Sequence, residues 1–574
     1  MRRKLVLGLV FSLLFSFLPS MRLGQTKVTA LDDYRVHNLN TGLNYTTIQG
    51  AIDANETLNG HTILVDEGIY YENVVINKSL SLVGNGWERT IIDANATDVD
   101  AIEVVAYYVN VIGFSIMNGF AGIALDHVRY CNITRNNMAT TSKQKVGIFS
   151  NGSSDNSVFE NDIAYHLLAI NLYQSTINTI GANNITGNDV AIYCSDSSRN
   201  IIIENRITDN FNSIVLASRA HENNITRNNI VDNGYDGMSL WDFSSNNSVI
   251  ENNITANQRH GISVFQSFNN RIFGNNITAN RNRGIILSDA AGNIISRNNL
   301  KSNEYGVSIA SSSDNTISEN NITNNDPGIR VAYSEYNRIY GNNITDNGCG
   351  IKVEEYSSDN RFYHNNFINN LKHVGFYENT HLLDDVWDDG YPSGGNYWSD
   401  YDGLDVNNGP CQNVTGSDGI GDSPYIIDKS NHDNYPLMYP FAPEMEEIRI
   451  AYRNLLFKYT EMNSTLYELI TNVTETIKDL QDSIGNLTLN FNTTSASLQD
   501  QINLLNNAYV NINHSIAGLQ ERIDSLNSTI QTSINKQQEQ TINIKNILYI
   551  FTATTAILIA ITVYLVVRKP KPEE

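Results

Sequence analysis

Glu251-Asn252-Asn253-Ile254-Thr255-Ala256-Asn257 is followed by Gly274-Asn275-Asn276-Ile277-Thr278-Ala279-Asn280, and that by Arg297-Asn298-Asn299-Leu300-Lys301-Ser302-Asn303. An aliphatic or aromatic marker behind such a pair recurs at Ile116, Met138, Ile163, Ile185, Ile207, Ile230, Ile254, Ile277, Leu300, Ile322, Ile344 and Phe367, with gaps of 22 to 25 residues. A fixed period of this size means stacked supersecondary units. Relative to the marker, Asn forms three files: seven before it (Asn156 to Asn360), two before it (Asn161 to Asn365) and three after it (Asn188 to Asn370). Asn tolerates left-handed backbone and bonds local backbone groups, so each file reads as a turn. Three turns imply three short strands per unit, and stacked amides can bond one another as ladders.

Between turns the pattern has period two, as in Gly237-Met238-Ser239-Leu240, Gly261-Ile262-Ser263-Val264 and Gly306-Val307-Ser308-Ile309. That is a strand with one buried face. A further inward file stands five before the marker, at Val249, Ile272, Ile295, Ile317, Ile339 and Phe362. The unit is too short for strand plus helix, so the expected fold is an all-β right-handed parallel β-helix, a solenoid. With coils spaced as neighbouring strands are, about fourteen of them make a rod of roughly 65 Å.

Around this middle the chain divides by composition. Residues 1–30, with Met1-Arg2-Arg3-Lys4 ahead of the apolar run Leu5 to Leu18, read as a signal peptide. Residues 31–110 form the N-terminal cap and first coils, with the amphipathic segment Tyr45 to Ile52 over the open end. Residues 111–380 are regular coils. Residues 381–442, rich in Asp and aromatics, close the far end. Residues 443–545 step by three and four through Leu455, Tyr459, Met462, Leu466, Leu469, Val473, Ile477 and Leu480, then Ile502, Leu505, Tyr509, Ile512 and Ile516, which is a heptad seam. It is expected as an α-helical coiled-coil stalk suited to a homo-oligomer; Gly485 and Gly518 leave a folded-back hairpin open. Ile547 to Val567 carries no charge and is long enough to cross a bilayer. Arg568, Lys569 and Lys571 put the tail, residues 568–574, in the cytoplasm and the rest outside. These features describe a single-pass cell-surface protein.

The net charge of −23 over 574 residues argues against nucleic acid as a partner. The four cysteines are no disulfide framework: Cys131 and Cys194 fall about three coils, or ~14 Å, apart, beyond bonding reach. Cys349–Cys411 stays open. Glycosylation sequons stand in the repeats at Asn184, Asn253, Asn276, Asn321 and Asn343, and beyond them at Asn463, Asn472, Asn486, Asn492, Asn513 and Asn527. Stacked neighbours are too crowded for all to be filled.

Two blocks carry a resemblance. Thr47-Ile48-Gln49-Gly50-Ala51-Ile52, Gly68-Ile69-Tyr70-Tyr71-Glu72-Asn73-Val74 and Lys78-Ser79-Leu80-Ser81-Leu82-Val83-Gly84 resemble the opening coils of β-helix proteins such as pectin methylesterases and the NosD-like family. Trp387-Asp388-Asp389-Gly390, Gly394-Gly395-Asn396-Tyr397-Trp398-Ser399-Asp400-Tyr401 and Gly416 to Tyr425 are similar to the closing block of NosD-like surface proteins of archaea. The resemblance implies the fold more firmly than an activity. It would also imply a role in copper-site maturation, but neither Met, Cys nor His clusters as soft copper sites require.

Candidate chemistry lies in two places. The residue five after each strand's Gly runs Asp242, Gln266, Asp289, Ser311, Tyr333 and Glu355, with Trp241 and Phe265 alongside, and could hold sugar rings. Asp384, Asp385, Asp388, Asp389, Asp400, Asp402, Asp405, Asp418 and Asp422 are the residues that would hold a structural Ca²⁺. Arg259-His260-Gly261 is only distantly similar to the Gly-His-Gly of polygalacturonases, without the supporting acids. The expected function is a membrane-anchored surface protein that binds glycans or a partner, or serves as an envelope or stalk component. The alternative is a tethered polysaccharide lyase, hydrolase or epimerase, disfavoured because no coil has room for the long loops that build a cleft.

Overall fold

A computed structural model describes residues 35–95, 98–139, 145–377, 385–489 and 501–528. The expected signal peptide and the segment Ile547 to Val567 lie outside the described residues. Among those described, no helix is long and apolar enough to cross a membrane. Two compact units are present, residues 1–443 and 444–574.

The first unit is a parallel β-solenoid. One coil runs Ser248–Ile250, Asn253–Thr255, Ile262–Phe265, and the next Arg271–Phe273, Asn276–Thr278, Arg283–Ser288. Within the coils each strand pairs in parallel with its counterpart one coil away, giving a first, a second and a third sheet of 16, 15 and 14 strands, the first opening with the antiparallel strands Val36–Asn38 and Leu43–Tyr45. The register keeps like residues in column: Ile254 with Ile277, Ile277 with Leu300, Ile262 with Ile285. These aliphatics are fully buried. A β-branched side chain suits this geometry because it packs on its equals above and below.

The corners correct one premise. The left-handed residue is not the Asn but the residue before it: Glu251, Ala256 and Asn269 precede Asn252, Asn257 and Asn270, with φ of 54°, 59° and 55°. The left-handed residue points outward and is chemically varied. The Asn that follows turns inward and is buried. Asn275 Oδ1 accepts the backbone N–H of Asn252 at 2.9 Å and its Nδ2–H at 3.0 Å. Its own Nδ2 donates to the Val249 carbonyl and to Asn298 Oδ1, both at 2.9 Å. Asn is selected because one amide supplies both an acceptor and two donors to backbone that the turn leaves unpaired. A fourth buried file, of serine, runs beside the third corner: Ser175 and Ser312 backbone N–H groups donate to Ser197 Oγ and Ser334 Oγ at 2.9 and 3.0 Å.

Both ends are closed. At the first, the helix Ile48–Asp53 buries Ile48, Ala51 and Ile52, and Thr47 accepts the Gly50 N–H as its N-cap. At the far end the columns continue into rings: Phe362 stacks on Trp387 at 4.2 Å, Phe367 on Trp398 at 4.3 Å, and Trp398 on Tyr425 at 4.2 Å. The ladders continue too. Asp385 Oδ1 accepts from Asn360 N–H and Nδ2–H, and Asn396 Oδ1 does so for Asn365. Asp433 then accepts the Asn396 N–H at 2.7 Å.

The second unit holds the helix Pro443–Leu489 and a helical segment over residues 501–528. Ile477, Leu480, Leu505, Tyr509 and Ile512 line one cavity of about 150 Å³, so the two helical segments lie side by side there, as in the folded-back arrangement. The seam is only half covered: Met462 is 43% and Leu469 51% exposed.

Candidate functional site

The expected sugar strip is one row on the corner between the third and first sheets. Asp242, Gln266, Asp289 and Tyr333 occupy its left-handed position, with φ between 47° and 52°. Glu355 does not; a one-residue shift gives that place to Tyr356, whose ring stacks on Tyr333 at 5.5 Å. Asp242, Phe265, Asp289 and Tyr333 are exposed, while Trp241, Gln266 and Glu355 are half-buried. Successive members are one coil apart, so Asp242 and Glu355 are separated by about 24 Å. The row is not one pocket.

A groove of about 420 Å³ opens on the same corner a few residues further along the chain. Tyr336, Asp314 and Asp359 line it from left-handed corner positions, with φ of 56° or 57°. Arg338 and Arg361, register partners on adjacent strands of the first sheet, form its other side. Arg361 is held by Asp389 at 2.9 Å and lies over the Tyr363 ring, which stacks on Tyr340 at 5.1 Å. The two guanidinium groups are donors only and the carboxylates acceptors only. Set around one tyrosine, they suit a neutral polyhydroxylated ligand. The signal for this site in the sequence is faint: Asp314, Tyr336 and Asp359 each stand immediately before a ladder Asn, and that position faces outward only once the turn geometry is known.

The outward face of the third sheet carries a buried polar network. Asp236 accepts the His260 N–H and the Ser239 hydroxyl, both at 3.2 Å, with Arg259 Nη1 at 3.6 Å. Burial pushes the Asp236 carboxyl up to about 6 and the His260 imidazole down to about 3. The Asp236 side chain is fully buried, so this pair is placed to hold the corner together rather than to meet a substrate.

The described carboxylates of the Asp-rich block, Asp402 apart, each have their own partners. Asp384 lies outside the described residues. Asp385 ends a ladder. Asp388 accepts from the Gly390 N–H and from Asn434, and Asp389 from Arg361 and Ser393. Asp405 takes the N–H groups of Asp418 and Gly419 and the Ser417 hydroxyl, and Asp422 those of Val406 and Asn407. Asp418 accepts the Ile420 N–H, and Asp400 faces His373 and the Tyr425 hydroxyl. Asp402 is exposed. Among the described residues no three His, Cys, Asp or Glu side chains are grouped to hold a metal ion. Cys131, Cys194 and Cys349 are free thiols, and burial pushes them up to about 11, 12 and 11.

The sequons Asn184, Asn253, Asn276, Asn321 and Asn343 lie on the outward face of the second sheet. There Asn276 Nδ2 donates to Asn253 Oδ1 at 2.7 Å and Asn321 Nδ2 to Asn299 Oδ1 at 2.9 Å. Asn472, Asn513 and Asn527 are exposed on the helices and Asn463 is half-exposed; the side chain of Asn486 and all of Asn492 lie outside the described residues.

Comparison with known proteins places the solenoid. Residues 219–403 match the family of the periplasmic copper-binding protein NosD, and residues 101–254 the right handed beta helix region. A stretch of 101 residues is 43% identical to a cell surface glycoprotein of Methanothermus fervidus, covering 18% of this chain and 17% of that relative's length. Among solved structures, the A-module of the mannuronan C-5 epimerase AlgE4 of Azotobacter vinelandii covers 58% of this chain and 94% of its own, at 15% identity and a TM-score of 0.39. The periplasmic alginate epimerase AlgG covers 55% of this chain and 85% of its own, at 13% identity and a TM-score of 0.36.

Proposed function

We propose, from the premise that residues 101–403 belong to the NosD-like right-handed β-helix family, that this is a non-enzymatic cell-surface protein whose solenoid binds glycans. The groove at Tyr336, Arg338 and Arg361 carries the reading. It is the place where an aromatic ring, paired guanidinium groups and outward carboxylates converge on open space. A sugar ring would lie on Tyr336, with its hydroxyls donating to Asp314 and Asp359 and accepting from Arg338. Among the described residues the corners between strands are short, and the lack of long loops there supports a binding role over a catalytic one.

The surface location is supported by the name of the 43% identical relative and by the apolar segment Ile547 to Val567, which would anchor the chain with the solenoid outside. The half-covered helical seam would serve as spacer and as the contact with a second copy.

A glycan array probed with the protein tests this reading. Binding to neutral glycans is expected, and Arg338→Gln with Tyr336→Ala should weaken it by about tenfold or more, the scale of a lost charge-assisted bond and ring contact. New reducing ends or unsaturated products from any polysaccharide would sink the non-enzymatic reading. Binding untouched by both substitutions would remove the groove from it.

A further inference from the structure

The outward face of the third sheet holds a second site, independent of the groove. Arg283 stands at its edge, one coil from Tyr305, over whose ring its guanidinium lies at 5.1 Å. Arg330 stands in the middle row two coils from Arg283, with Ser308 on the coil between as its register partner. Arg259 flanks the coil before Arg283, over the Tyr235 ring at 4.3 Å. Three guanidinium groups thus crowd one patch of a chain whose net charge is −23. Burial and the charges of Arg330 and Arg259 pull the Arg283 guanidinium below its ordinary range.

The carboxylates near the patch are mostly engaged. Glu354 is bound by Arg330 and by Lys352, and Asp236 by Arg259, the His260 N–H and Ser239. Glu304 is near enough to raise the Arg283 affinity for its proton, but it makes no ion pair with it. Arg283 Nη1 donates to Asn282 Oδ1 at 3.2 Å, and its backbone N–H to His260 Nδ1 at 3.3 Å.

Two polar atoms of the patch have no partner: the Arg283 Nε and the hydroxyl of Ser308, a residue with no exposed surface. Buried polar groups are nearly always hydrogen-bonded, so each orphan asks for an explanation. Nε–H is a donor and has no acceptor capacity; the hydroxyl can donate. What is missing is therefore an acceptor, and among three cations the acceptor that gains most is an anion.

We infer that Arg259, Arg283, Ser308 and Arg330 form an oxyanion site, which takes the carboxylate of a uronic acid or the sulfate ester of a glycan. The guanidinium groups supply charge and paired N–H donors, and Ser308 turns its hydroxyl proton to the same oxygen. Because it shares no residue with the groove, it stands or falls separately from the neutral-glycan reading.

Calorimetry on the full-length protein in detergent, with hexameric oligogalacturonate, a chondroitin sulfate oligosaccharide, a neutral dextran oligomer and sodium sulfate as separate probes, tests it. At least one acidic oligosaccharide should bind, with affinity falling as salt rises. Arg283→Gln should weaken that binding by about tenfold, the scale of a charge-assisted bond, and Arg283→Lys by less. Ser308→Ala is the sharper variant. It removes an unsatisfied buried donor, so the fold should be unharmed or firmer, while acidic-glycan affinity drops several-fold. Binding of the acidic oligosaccharides without free sulfate assigns the anion to a glycan. Equal binding of sulfate would overturn the glycan assignment. Unchanged acidic-glycan affinity in both Arg283→Gln and Ser308→Ala, or no acidic probe binding at all, would overturn the site.

Discussion

The amide ladders make the strongest quantitative prediction. Asn275→Ala deletes one rung in the middle of the solenoid. Asn252 loses the acceptor of its backbone N–H, while the Val249 and Phe273 carbonyls each lose one of two donors and keep their place in the parallel ladder. The Asn252 Nδ2 keeps the Ile225 carbonyl at 2.9 Å, and Asn298 Oδ1 keeps the residue 275 backbone N–H. One buried polar group is therefore stranded, and the substitution should destabilise the coil by about 1–3 kcal/mol. Asn276→Ala, one residue later on the outward face, should cost within about 0.5 kcal/mol, as surface changes do. Because a solenoid coil contacts only its neighbours, the loss should be local. Urea unfolding followed with amide hydrogen exchange, resolved by peptide, reads both the magnitude and the place. Protection should fall across residues 225–300 and stay level near residues 100–150. An Asn275→Ala variant as stable as Asn276→Ala would refute the claim that the inward amides hold the corners.

Two further predictions concern the ends and faces of the solenoid. Burial pushes Asp433 up to about 7, against the N–H groups of Asn396, Trp398 and Tyr435 that favour its charged form. A carboxyl raised above its unfolded value of about 3.9 binds its proton more tightly when folded, so its contribution is fullest below that value and is lost as pH rises towards 7. Urea midpoints at pH 4.5 and 7.5 should therefore differ more in the wild type than in Asp433→Asn, and equal differences would count against it. On the second sheet, Asn253 and Asn276 are register partners, as are Asn321 and Asn343, one strand spacing apart. Intact-glycopeptide mass spectrometry should find at most one glycan in each pair; both sites filled on one molecule would show that the face is not as crowded as its register implies.

How much was legible in the sequence differs by layer. The period, the strand count per coil and the inward aliphatic files follow from residues spaced identically in every repeat, because stacking forces each coil to present the same side chain at the same place. The role of the Asn was half legible. Its corner location follows from the spacing, but the left-handed backbone falls on Glu251 or Ala256 rather than on Asn252 or Asn257. In the Asp block, composition marks the carboxylates and geometry gives their partners: Asp385, Asp405 and Asp422 accept backbone N–H groups.

By itself the sequence determined the solenoid, its caps and the change of period at residue 443, since these depend on local pattern repeated along the chain. The tertiary structure alone decided the sites. Arg338 and Arg361 are 23 positions apart in the chain and adjacent in space, and Arg283, Ser308 and Arg330 belong to three different coils. Their meeting depends on the register of one coil on the next, which is set by the buried columns and ladders rather than by the outward residues themselves. Outward positions are free to vary without disturbing the repeat, so no pattern in the chain marks the few of them that converge.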